Sequence, residues 1–168
     1  MDRYKHPLDL PDEHMRMIGI ISSQWEYIEA VLERAVAEIM QLDRHRIAIL
    51  TTNLSFQAKC DILLLPARPL SATGDPDHKA KWKKFTSVCE EMRKAYLLRC
   101  KFVHAKWMLD QNAPDEPPRM HIVQTNQGKL TALDNPVPIE VMYEAAQSIW
   151  LSGEKFSKLL GEFDLLQS

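Results

Sequence analysis

Arg99 and His104, five positions apart, are the two residues of this chain best suited to chemistry. An imidazole is a base that works near neutral pH, and a guanidinium is a permanent cation that can grip two phosphate oxygens at once. Cleavage of RNA by its own ribose 2′-OH needs little more than these two groups. One takes the proton from the attacking hydroxyl, and the other offsets the charge growing on the phosphate. That scheme calls for no metal or cofactor. The chain also has no Cys-x-x-Cys and no His-x-x-x-His pair from which a metal site could be expected.

The element that must carry the pair is a long helix. Asp75-Pro76 fits an N-cap followed by proline at the first helical position, and the pattern then runs to about Val103. Its seam reads Trp82, Phe85, Cys89, Met92, Tyr96, Arg99, Val103, with Arg99 the one charged member. A guanidinium on a buried line is costly unless it is paired or has a task. At about 100° per residue, five steps separate Arg99 and His104 by about 140° on an ideal helix. The long arginine stem can swing toward the groove that the imidazole faces. At the C-terminal end of the helix the dipole favours a basic residue.

The pair also lies in a basic stretch. Between His78 and Lys106 nine lysines and arginines face only two acids, Glu90 and Glu91, whereas the rest of the chain is acidic and the total is −2. A basic segment on an acidic body can attract a polyanion. Lys101, Lys106, Arg93 and Lys94 are the nearest cations to the pair and the candidates for RNA phosphate contacts. The structural alternatives are concrete. The cations can form a solvated face, Arg99 can pair with Glu26, Glu29 or Glu33, and His104 can cap a helix. Weaker candidates are Asp43-Arg44-His45-Arg46, which reads first as a helix-entry charge cluster, and Trp82, Phe85 and Tyr96, which at helical spacing read first as core.

Around this helix the chain reads as mostly α. A first helix from about Asp12 to Gln41 has the seam Ile18, Ile21, Trp25, Ile28, Leu32, Ala35, Ile39, Leu42. Two short helices follow, Asp43 to about Thr52 and Phe56 to about Leu65, the second capped by Ser55 and ended by Pro66. Residues 66–74 read as a loop. After His104, Ala105–Leu109 suggests a short strand and 111–118 a proline-rich loop. Met120–Gln124 and Lys129–Ala132 flank Asn126-Gln127-Gly128 as a β-hairpin. The last helix runs from Pro136–Pro138 to about Asp164 on Ile139, Met142, Ala146, Ile149, Gly153, Phe156, Leu160 and Phe163. Gly153 lies on that seam and marks either a close helix approach or a break. The expected fold is an antiparallel helical bundle with a small β-hairpin insertion before the last helix. It forms a single domain over residues 1–168 with a β excursion at about 105–132.

The bulk properties agree with a globular protein of the cytoplasm. Hydrophobic residues make up 45% and charged residues 26%, an ordinary balance. Met1-Asp2-Arg3-Tyr4-Lys5-His6-Pro7 has no apolar stretch behind it, which argues against a signal peptide. No run approaches the roughly eighteen apolar residues of a membrane span. Three cysteines, Cys60, Cys89 and Cys100, are an odd number placed in helices, so reduced, structural thiols are expected.

With Arg-x4-His late in a long bundle helix, the chain resembles the HEPN superfamily of helical ribonucleases and nucleotide-associated domains. The resemblance covers most of the chain. Gln24-Trp25-Glu26-Tyr27-Ile28-Glu29 and Leu54-Ser55-Phe56-Gln57-Ala58-Lys59-Cys60-Asp61-Ile62-Leu63 look like the first helices of bacterial members. It implies Arg99 and His104 as catalytic residues, a homodimer whose two motif helices meet over one cleft, and single-stranded RNA as substrate. A toxin–antitoxin or phage-defence setting, with an antitoxin protein as partner, is implied as well. Cys100 stands where the family usually has a polar residue, Ala105 where it often has glycine, and Lys106 where the nucleotidyltransferase-paired variant has tyrosine. A catalytically silent helical module that binds a protein or nucleotide through the same groove is the second reading.

Overall fold

In the computed structural model, residues 10–65, 76–110, 112–126 and 129–163 are described. The readings made above for Met1–Pro7, for the 66–74 loop, for the Asp75 cap and for Gln127-Gly128 lie outside them. Among the described residues are five helices: α1 (Asp12–Met40), α2 (Arg44–Thr51), α3 (Phe56–Leu64), α4 (Pro76–Val103) and α5 (Ile139–Glu162). Three strands, β1 (Lys106–Met108), β2 (Arg119–Asn126) and β3 (Lys129–Pro136), stand between α4 and α5. The fold is mostly α, with the small sheet where the alternating pattern put it. No helix among these residues is long and apolar enough to cross a membrane.

Local chemistry sets the helix ends. α1 stops where Gln41 turns left-handed (φ 51°). There Gln41 N–H bonds Glu38 O at 3.2 Å and Leu42 N–H bonds Ala37 O at 3.0 Å, the pair of bonds that closes a helix C-terminus around a left-handed residue. Asp43 caps α2 by accepting from the His45 and Arg46 N–H groups, both at 3.0 Å, so the helix-entry reading of that charge cluster holds. The Ser55 hydroxyl accepts from Ala58 N–H at 3.2 Å and caps α3.

The chain divides into two compact units, and α1, α4 and α5 each contribute to both. The first unit, residues 25–65, 76–96 and 150–163, is made of helices and the turns between them. The second half of α1 buries Trp25, Ile28, Leu32, Ala35 and Val36. Trp25, Phe56 and Tyr96 gather from α1, α3 and α4 with ring centroids 5.0–5.4 Å apart. Trp82 and Phe85 of α4 meet Phe163 just beyond α5. Trp25, Phe56 and Phe85 are core, and Trp82 and Tyr96 pack against them half-buried. Lys84 pairs with Glu162 at 2.6 Å and Glu91 with Lys155 at 2.9 Å, so α4 and α5 run antiparallel. The Phe56–Tyr96 and Asp61–Arg93 contacts make α3 and α4 antiparallel in the same way. At Gly153, α5 comes close to Ile28 of α1. A Cβ built there would stand 2.8 Å from Ile28 Cγ1, so the glycine serves packing, and α5 continues through it.

The second unit, residues 10–24, 97–110, 112–126 and 129–149, holds the sheet. The strands are antiparallel in the order β1-β2-β3, with Lys106 opposite His121 and Trp107 opposite Met120. Alternation sends Trp107 and Met120 into the core, while Lys106 and His121 share the other face. β2 and β3 are longer than the sequence pattern suggested, pairing from Arg119↔Pro136 to Asn126↔Lys129. The early turns of α1 are fastened to this sheet. His14 Nε2 lies 3.1 Å from Val137 O, its ring stands edge-on to Trp107, and Val137 N–H bonds Pro118 O at 2.9 Å.

Candidate functional site

The site forms where α4 hands over to β1. The helix ends at Val103, but His104 N–H still bonds Cys100 O at 3.1 Å, so the backbone completes one more helical bond before it turns. Trp107 closes the turn from the far side. Its indole N–H donates to Phe102 O at 3.0 Å, satisfying a carbonyl that the ending helix leaves open. The two rings lie nearly parallel, 6.4 Å apart, and both side chains are buried. His104 therefore stands on a short bridge with a buried aromatic anchor at each end.

From that bridge the imidazole meets Arg99. The guanidinium Nη1 lies 2.5 Å from His104 Nε2. A guanidinium has only donors, so Nε2 must offer its lone pair here, and the ring proton then belongs on Nδ1. They meet where α4 gives way to the turn, with Arg99 on the last turns of the helix and His104 just past its end. Arg99 is half-buried, and its Nε is enclosed without a hydrogen-bond partner. Glu29 and Glu33, offered above as structural partners for Arg99, are instead bound to Lys59 at 2.7 and 2.8 Å.

His104 faces an open depression of about 560 Å³. Among the described residues its lining includes Cys100, Lys101, Lys106, His121 and Ile122, and no carboxylate. Lys101 and Lys106 are exposed, and Lys101 Nζ also sits 5.5 Å from the centre of the Phe102 ring. Arg99 is not part of the lining and reaches the site through its contact with His104. Two cations and two imidazoles around one concavity make a surface suited to a phosphodiester.

The other predicted phosphate contacts are placed differently. Arg93 is engaged by Asp61 at 3.0 Å and by Glu90, and it lies outside the depression. Lys94 is exposed and also lies outside it. His121 was missed by the sequence reasoning. It sits in a strand whose alternation was visible, but what brings it to the same depression as His104 is the Lys106↔His121 register, which no local pattern encodes. Among the described residues no group of three or more His, Cys, Asp or Glu is placed to hold a metal ion.

Comparison with protein-family models, with curated proteins and with solved structures returned no match to this chain.

Proposed function

We propose that the protein is a HEPN-like, metal-independent endoribonuclease of the cytoplasm that cuts single-stranded RNA at a composite site in a homodimer. The observation that carries this reading is the direct Arg99–His104 contact at the edge of a lysine-flanked depression.

The contact sets the order of events. At rest, Arg99 occupies the lone pair that His104 would need as a base. A phosphate is a stronger acceptor for a guanidinium than a neutral imidazole, because the hydrogen bonds are charge-assisted and can be bidentate. An entering phosphodiester therefore draws Arg99 onto its oxygens and frees Nε2. The base is uncovered only when substrate is present. His104 then takes the 2′-OH proton, the 2′-oxygen attacks phosphorus, and Arg99 offsets the charge on the phosphate oxygens. The products carry a 2′,3′-cyclic phosphate and a 5′-OH. Lys101 and Lys106 hold the flanking backbone.

Leu97 supports the dimer. It is 65% exposed on α4, one turn before Lys101, an unusual place for a large apolar side chain beside a charged groove. Packing Leu97 against its copy would bring two Arg99–His104 pairs together. Light scattering at micromolar concentration reads the mass, and a monomer would rule out the composite site.

The test of activity is incubation of the pure protein with mixed-sequence single-stranded RNA in EDTA. Fragments ending in cyclic phosphate are expected. Intact RNA would leave the second reading, a silent module that binds through the same depression.

A further inference from the structure

We propose that His121 is the second proton-transfer residue of this site, the general acid that protonates the leaving 5′-oxygen. The inference rests on the ribonuclease reading above and extends it to a residue which that reading does not use.

Transesterification moves two protons. As the 2′-oxygen forms its bond to phosphorus, its proton must leave. As the P–O5′ bond breaks, the departing alkoxide must be protonated, and without an acid it is a very poor leaving group. Attack and departure occur on opposite sides of the phosphorus, so one imidazole cannot serve both at the same moment. Within a single protomer, the depression offers another imidazole besides His104. His104 comes from the turn after α4 and His121 from β2, and both line the same concavity.

The sheet register fixes where His121 stands. Lys106 lies opposite it on β1, and Trp107 and Met120 on the buried face hold that register. Asp134 lies opposite on β3, but its carboxylate accepts from Arg119 Nε at 3.1 Å, and Arg119 Nη2 binds Asp134 O at 3.2 Å. Among the described residues no hydrogen bond to the His121 ring is present, and His121 lines the depression. His104, by contrast, has its Nε2 turned to Arg99. The two imidazoles thus have different neighbours: Arg99 stands on Nε2 of His104, and Lys106 and Asp134 lie opposite His121 on the flanking strands.

The step balances. His104 Nε2 takes the 2′-OH proton, O2′–P forms, P–O5′ breaks, and protonated His121 gives its proton to O5′. His104 ends protonated and His121 neutral, and exchange with water resets both.

The experiment compares two substrates that differ in one atom, an RNA dinucleotide and its analogue with sulfur in place of the bridging 5′-oxygen. A thiolate leaves without an acid. His121→Ala and His121→Gln should lose about 10²–10⁴-fold on the oxygen substrate and recover to within about tenfold of wild type on the sulfur substrate. His104→Ala should be slow on both. Wild-type rates for both His121 variants on the oxygen substrate, or equal losses on the two substrates, would overturn the assignment while leaving the ribonuclease reading intact. If the wild-type protein cleaves neither substrate, both readings fail together. Circular dichroism and melting of each variant separate a lost proton donor from a lost fold.

Discussion

The Trp107 indole N–H and the Phe102 carbonyl are 3.0 Å apart, and this one bond closes the turn on which His104 stands. The donor is buried and belongs to the sheet, whereas the acceptor belongs to the last turn of α4. A backbone group left open by the helix end is thereby satisfied, and the imidazole between the two anchors is held in place.

Trp107→Phe keeps a ring against Phe102 and removes only the donor. The lost hydrogen bond should cost about 1 kcal/mol, lowering Tm by roughly 2–4 °C. Cleavage should fall further than stability, by about tenfold or more, because the base would no longer be fixed against the phosphate. Thermal melts and single-turnover rates read the two effects separately. A lowered Tm with wild-type cleavage would show that the turn does not position His104.

Lys59 gives a prediction about pH. It is almost fully buried on α3, with Glu29 at 2.7 Å and Glu33 at 2.8 Å from its ammonium. Burial pushes its pKa down, but the hydrogen bonds and charges of the two glutamates outweigh burial and raise it above the ordinary 10.5. A cation whose folded pKa is raised contributes its full stability below the unfolded value and loses it as pH climbs through the folded one. Wild-type stability should therefore have an alkaline step above 10.5 that Lys59→Met lacks. Near neutrality that variant leaves two carboxylates without their cation, at a cost of about 1–3 kcal/mol. Urea midpoints across this range check both parts. A constant gap between the two proteins at every pH would contradict the pairing.

How far the sequence carried differs between fold and site. The long helices were legible because periodicity is local. Ile21, Trp25, Ile28, Leu32 and Ala35 announce α1 without reference to anything else, and they are buried. Arg99 was legible for the opposite reason, as the charge that breaks an apolar seam. What stayed hidden depends on partners distant in the chain. Lys59 reads as an ordinary helix lysine until Glu29 and Glu33 are seen beside it. His121 reads as one residue of a short strand until the β1–β2 register sets it opposite Lys106. The meeting of Arg99 and His104 also depended on where α4 ends, and helix boundaries are what a single sequence fixes least well.

The cysteines divide two to one. Cys60 and Cys89 are buried, and loss of hydration drives each thiol up to about 12, so neither presents a thiolate at neutral pH. Cys100 is half-buried and lines the depression. Iodoacetamide should modify one thiol in the native protein and three in denaturant, with the native adduct mapping to Cys100 by mass spectrometry. Because the adduct projects into the depression, alkylation should hinder cleavage, and bound single-stranded RNA should slow it. Equal labelling of all three thiols in the folded protein, or a disulfide in its mass, would overturn this assignment.

The roles proposed for Arg99 and His104 are separable by substitution. His104→Ala removes the base and should cost about 10²–10⁴-fold, and Arg99→Ala removes the charge opposite the transition state, at about 10²–10³-fold. Arg99→Lys should be nearly as poor as Arg99→Ala. An ammonium lacks the planar two-donor grip that would carry the side chain from the imidazole to the phosphate. The double variant should lose less than the product of the single losses, because uncovering the base and gripping the phosphate are one event in this mechanism. Each variant should remain folded, since His104 is exposed and Arg99 is bound to little besides His104 among the described residues. A structural Arg99 predicts the reverse pattern, a Tm lower by several degrees with activity falling only in step with the folded fraction. If His104→Ala cleaves RNA at the wild-type rate, His104 is not the base, and the contact at 2.5 Å has some other purpose.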